Sequence, residues 1–247
     1  MVQRLLITGM LSGLIVALLA FGFARAFSEA TIDRAITLEE QTAHAHDHGD
    51  QETVSRETQR NLGLLTGLAS YSVALGGFLA IGVACLYGRS GLGARSTVWL
   101  LVALGYMSLI AVPQMKYPAS PPGVGSAETI GSRTELYFLL LFLSLISMAF
   151  SWWAGLRLRR QLGGMFAVPV GALMFALLAL SITSALPDIS EVPADFPRGL
   201  LFTFRMHSAI LQFIVWAGLG VVFAQFASRV LGKPGSRTVA NAEVPNA

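Results

Sequence analysis

Six stretches of this chain contain no Asp, Glu, Lys or Arg, and each is 17 to 26 residues long: 5–24, 62–87, 97–113, 136–156, 165–186 and 208–228. A helix rising about 1.5 Å per residue needs roughly 20 apolar residues to cross the ~30 Å hydrocarbon layer of a bilayer. A soluble domain buries one or two such runs, not six, and normally carries about 25% charged residues; this chain carries 13%. Membrane β-strands are excluded as well, because they run to about 10 residues with alternating character, and these stretches are apolar all round. The sequence therefore predicts an all-α, polytopic transmembrane helical bundle of six spans, a single membrane domain over 1–228, and a disordered tail over 229–247. The third run is the shortest, and Arg95 is a plausible start for its helix.

Loop charge gives the chain a direction. With the N-terminus inside, the inner segments 1–4, 88–96, 157–164 and 229–247 carry nine Lys/Arg and a single acid, Glu243, whereas the outer segments carry eight Lys/Arg against thirteen Asp/Glu. Positive charge on short loops marks the cytoplasmic face, so both termini are expected in the cytoplasm of a bacterial inner membrane. The alternative would put the basic cluster Arg157, Arg159 and Arg160 on the wrong side. The first run is too long for the 7 to 15 apolar residues of a signal peptide and is read as an uncleaved anchor.

The outer segment 25–61 is the longest and most acidic connection. Ile32, Ile36 and Leu38 hint at a short interfacial helix continuing the first span over 28–42. Beyond it come His44, Ala45, His46, Asp47, His48, Gly49 and Asp50, which hold three of the chain's four histidines. Imidazole nitrogen ligates Co, Ni, Cu and Zn, and nearby carboxylates add oxygen donors. His44, His46 and His48, with Asp47 and Asp50, are thus the candidate metal ligands. The spacing does not choose among these metals, and histidine titration near neutral pH is the minor rival reading. Met206 and His207, near the outer end of the sixth run, form a weaker second candidate.

Charged groups are absent from the spans themselves, which disfavours proton coupling through a buried carboxylate unless an acid at a helix end, Glu135 for example, takes that role. Serines and threonines there are expected to bond mainly to their own helix carbonyls. Gly9 with Gly13, and Gly63 with Gly67, have the spacing of close helix contacts. Cys85 is expected to be a small buried hydrophobe. No phosphate-binding loop, dinucleotide fingerprint or catalytic triad occurs, so no enzymatic role and no organic cofactor are expected, and the basic balance points to a membrane surface rather than nucleic acid. The outer loop 187–207 ends in an amphipathic run, Leu200 to Met206, that either lies on the membrane or joins the last span.

Four segments carry a resemblance: HAHDHG at 44–49, VSRETQRNLGLLTG at 54–67, KYPASPPGVGSAETIGSRTELYFLL at 116–140 and LPDISEVPADFPRGLLFTFRMHSAILQFIVW at 186–216. They resemble the CbtA family of predicted cobalt transporter subunits. The resemblance implies an inner-membrane component of Co²⁺ uptake linked to cobalamin supply, with Ni²⁺ or Zn²⁺ as alternative cargo, and a small histidine-containing CbtB-like subunit as partner, alongside membrane lipid and a possible homo-oligomer. It also implies metal contact at His44, His46 and His48. Lys116, Tyr117, Pro118, Pro121, Pro122, Glu191, Pro193, Phe196, Pro197 and Arg205 match its loop motifs without an assignable chemical role. The rival reading is a membrane scaffold or metal sensor that conducts nothing. Family descriptions often mention five spans against the six counted here.

The predicted orientation is testable by reporter fusions. Alkaline phosphatase joined after Asp50 should be active and joined after Arg160 inactive; the reverse pattern would invert the topology.

Overall fold

The computed structural model describes residues 1–43, 55–89, 91–122, 124–125, 127–189 and 191–232. Six of its helices are long and apolar enough to cross a membrane: α1 (Val2–Gln41), α2 (Arg56–Leu86), α3 (Ala94–Lys116), α4 (Ile130–Gln161), α5 (Gly164–Ala185) and α6 (Arg198–Leu231). The chain is an all-α, multi-pass membrane protein.

Most of these helices overrun the apolar stretches that define them. With 40 and 34 residues, α1 and α6 are about 60 and 50 Å long at ~1.5 Å per residue, well beyond the hydrocarbon thickness. Nothing in the adjoining sequence breaks them, so the backbone keeps its internal hydrogen bonds until a breaker arrives. Gly163, at φ +75°, ends α4 and Gly88, at φ +83°, follows α2; both are left-handed positions that suit glycine. Pro118 and Pro187 follow the ends of α3 and α5, and Pro197 immediately precedes α6. The expected interfacial helix is the continuation of α1, and the amphipathic run at Leu200 is the first part of α6. The third span begins at Ala94, one residue before Arg95.

Residue contacts divide the chain into two compact units, one of 1–29, 49–103 and 209–247, the other of 30–48 and 104–208. In the first, α1 and α2 approach so closely that side chains are excluded between them. A Cβ on Gly13 would lie 2.6 Å from the Ser72 carbonyl carbon and 2.8 Å from Val73 Cα, and one on Gly9 would lie 2.8 Å from Ala80 Cβ and closer still to the Gly76 oxygen. These neighbours are mostly backbone and have no rotamer to yield. Of the two glycine pairs with the same spacing, only Gly9 and Gly13 serve this purpose: Gly67 has open space around it. Val16, Val83, Val98, Val215, Leu219 and Phe223 fill the remainder of this unit's interior.

In the second unit α4 packs on α5, with Gly155 and Gly171 facing one another and a Gly171 Cβ position 3.4 Å from the Ser151 oxygen. Leu140, Val112 and Ala179 form a core bordered by Tyr117, Phe175, Ile182 and Leu186. Apolar side chains remain on the outside, among them Leu14, Leu18, Phe78, Phe142, Phe166 and Leu177, as suits a surface solvated by lipid. Cys85 is exposed rather than buried: it lies on the outward side of α2, while Val83 takes the inward position.

Gly13→Ala should destabilise the protein by about 1–3 kcal/mol, the usual cost of forcing atoms into a filled interior, visible as a lowered unfolding temperature in detergent. Gly22→Ala, where a Cβ meets nothing within 4 Å, should not lower it.

Candidate functional site

The histidine tract with Asp47 and Asp50 lies outside the described residues. The structure defines its two attachments. Helix carries the chain up to Ala43, and Ser55 caps the start of α2, its Oγ accepting from the Thr58 amide at 3.4 Å. Among the described residues, no group of three or more His, Cys, Asp or Glu side chains converges as a metal site.

The two weaker candidates separate by environment. His207 is half-buried in the second unit, with Nδ1 3.3 Å from the Thr31 hydroxyl of α1. Met206, one position earlier on the helix and therefore about 100° around it, is 43% exposed. Thr31 is buried and also lines a cleft of about 540 Å³ between the C-terminal part of α1 and the start of α6. Asp33, Arg34 and Thr37 on one side and Gly199, Leu200 and Thr203 on the other complete most of the wall. His207 thus sits behind the cleft, joined to it through one hydroxyl.

Four of the motif residues without an assigned role, Lys116, Tyr117, Glu191 and Arg205, fasten two loops of the second unit together. Lys116, the last residue of α3, pairs with Asp188 beyond the end of α5. The Tyr117 hydroxyl donates to the Pro187 carbonyl at 2.9 Å, and Arg205 Nε of α6 donates to the Ala119 carbonyl at 3.3 Å. Arg133 of α4 meets Glu191 at 3.4 Å. Gly125, at φ +114°, lets the chain pass against the Arg133 guanidinium, whose Cζ would lie 2.8 Å from an added Cβ. Arg133 and Glu191 are mostly shielded from solvent, whereas Asp188 is 90% exposed, so the Arg133 pair carries more of the fastening.

Polar groups within the spans behave largely as expected. Thr66, Ser147, Ser181 and Thr183 donate to carbonyls four residues earlier. Gln212 accepts from the Tyr71 hydroxyl at 2.9 Å and Gln225 from Arg95 at 3.0 Å, cross-links between helices of the first unit.

One charged residue eluded sequence reasoning. Glu29 is only 4% exposed, and its carboxylate lies 3.1 Å from the Arg56 guanidinium at the start of α2. In sequence it is one of eight acids in 25–61. Its burial comes from α1 continuing as helix past the apolar run, through a five-residue π-helical turn at Ala24–Ser28. The signal available was position: Glu29 is the first acid after that run.

Glu191→Gln should open the loop 117–126 to limited proteolysis in detergent, while Asp188→Asn should change cleavage little; equal cleavage of both variants would show that the Arg133 pair holds nothing the other contacts do not.

A family model described as "Probable cobalt transporter subunit (CbtA)" matches residues 2–228. Neither the curated proteins nor the solved structures contain a match.

Proposed function

The chain belongs to the CbtA family of probable cobalt transporter subunits, and on that premise we propose that it captures a divalent cation, Co²⁺ first among the candidates, and passes it into a path among its helices. The family match carries the reading: it runs through all six helices and the histidine tract between α1 and α2. Subunits of this family are not catalytic, so the chemistry is coordination and release.

The capture step falls to His44, His46 and His48 with Asp47 and Asp50. Side chains that close on an ion give up rotamer freedom, an entropic cost that lowers affinity. Modest affinity suits delivery, because an ion held too tightly is not handed on. The acidic surroundings, eight Asp/Glu against four Lys/Arg in 25–61, raise the local cation concentration before contact. His207, with its link to the cleft through Thr31, is the proposed second stop. In the orientation that loop charge favours, the tract faces the outside of a bacterial inner membrane. The partner in this reading is a small CbtB-like membrane subunit, and the physiological output is cobalamin supply.

Substituting His44, His46 and His48 together by Ala should reduce cellular Co²⁺ accumulation several-fold at low external metal, with protein level unchanged and little effect when metal is abundant. Normal accumulation at low metal would remove the tract from delivery. Proteoliposomes challenged with Co²⁺, Ni²⁺ and Zn²⁺ give the companion measurement: binding without uptake, with or without the partner, favours the sensor or scaffold reading.

A further inference from the structure

Among the described residues, Glu29 is the one buried charged side chain. It stands where the apolar part of α1 gives way to its polar extension, a position at the mouth of a span. A carboxylate at such a depth is costly unless neutralised, and the contact that neutralises it is unequal. The Glu29 side chain is 5% exposed and that of Arg56 is 28% exposed. Arg56, which makes further contacts, is the member of the pair nearer to water, whereas Glu29 stays where the helix puts it. The anion is the deeper partner and the cation the shallower.

Further observations converge on the same place. The Oγ of Ser28, the residue before Glu29, is buried and has no hydrogen-bond partner among the described residues, a second buried oxygen one helix position away. Both helices depart from α-geometry here, α1 at Ala24–Ser28 and α2 at Gln59–Gly63, and single π-turns of this kind are frequent at functional positions. Finally, Arg56 lies at the start of α2, directly after the segment that holds the histidine tract.

We infer that Glu29 is a cation site in its own right: its carboxylate accepts a divalent ion at the entrance to the helices, and Arg56 is the internal counter-ion that the arriving metal displaces. The inference rests on the reading of the chain as a handler of divalent metal. Hard oxygen donors so few in number leave the ion part of its water shell, so the site is weak. Arg60, one turn beyond Arg56 and half-buried, adds positive charge at the same end of α2, which disfavours long retention of a cation. Both properties belong to a transit point rather than a store. In the empty state Arg56 occupies the position of the cargo, which prevents a bare buried carboxylate between ions.

The test uses the purified full chain with His44, His46 and His48 replaced by Ala, so that the tract does not mask a weaker site. Co²⁺ binding by equilibrium dialysis should be several-fold tighter after Arg56→Gln, because the competitor is gone, and this gain should vanish when Glu29→Gln is added. A pair that only fastens α1 to α2 predicts no tightening; that result, or tightening that survives Glu29→Gln, overturns the inference. Should Arg56→Gln fail to fold, the unsubstituted chain decides: modification of Glu29 by an apolar carbodiimide, read by mass spectrometry, should be suppressed by Co²⁺, and equal modification with and without metal overturns the site. These readouts are binding, not flux. A chain that binds Co²⁺ at Glu29 yet moves none in proteoliposomes sinks the transport reading and leaves the site standing.

Discussion

Hydrocarbon offers no partner to a peptide N–H or C=O, so each crossing segment must close its own hydrogen bonds as helix. The same medium removes the usual reason for helices to associate, since lipid tails solvate leucine as well as another helix does. What holds α1 against α2 is accordingly the intimacy of contact at Gly9, Gly13, Ser72 and Gly76, where backbone meets backbone and dispersion is gathered over many short distances. Gly155 and Gly171 play a milder version of this part between α4 and α5.

Polar chemistry is consequently pushed to the ends of the helices. Serines and threonines inside the spans mostly turn back on their own carbonyls, whereas the ionic contacts, Lys116 with Asp188, Arg133 with Glu191 and Arg56 with Glu29, sit beyond the ends of the charge-free runs. There water is near enough to lower the cost of charge and the chain is irregular enough to bring distant residues together. Helices that overrun the membrane extend this zone, and α1 does so most, carrying Glu29 and Thr31 as helical residues rather than as loop.

The histidine tract was legible because imidazole is rare in the chain and clustered in one place, a compositional signal that needs no coordinates. The roles of Lys116, Tyr117, Glu191 and Arg205 were not legible: their motifs marked them as distinctive, but pairing across 58 to 86 residues is a property of which helix ends meet, and the loops record nothing of it. Glu29 was hidden for a different reason. Counted with its neighbours it belongs to an acidic loop, and only the continuation of α1 through its π-turn shows that it is buried and Arg56 its partner. Cys85 reversed its expectation on the same principle, since an apolar helix has an outward side as good for cysteine as the inward one when the surroundings are lipid.

By itself the sequence determined that six helices cross a membrane, because the length and charge-free character of each run answer to the bilayer's thickness and dielectric, which are fixed outside the protein. It also determined where charge collects and which segment is rich in histidine. Only the tertiary structure decided which glycines are contacts, which loop residues clasp, and which carboxylate among the described residues is enclosed. Those depend on the rotation and approach of helices that are apolar on every side, and a run without polar faces carries almost no periodic signal of which way it turns.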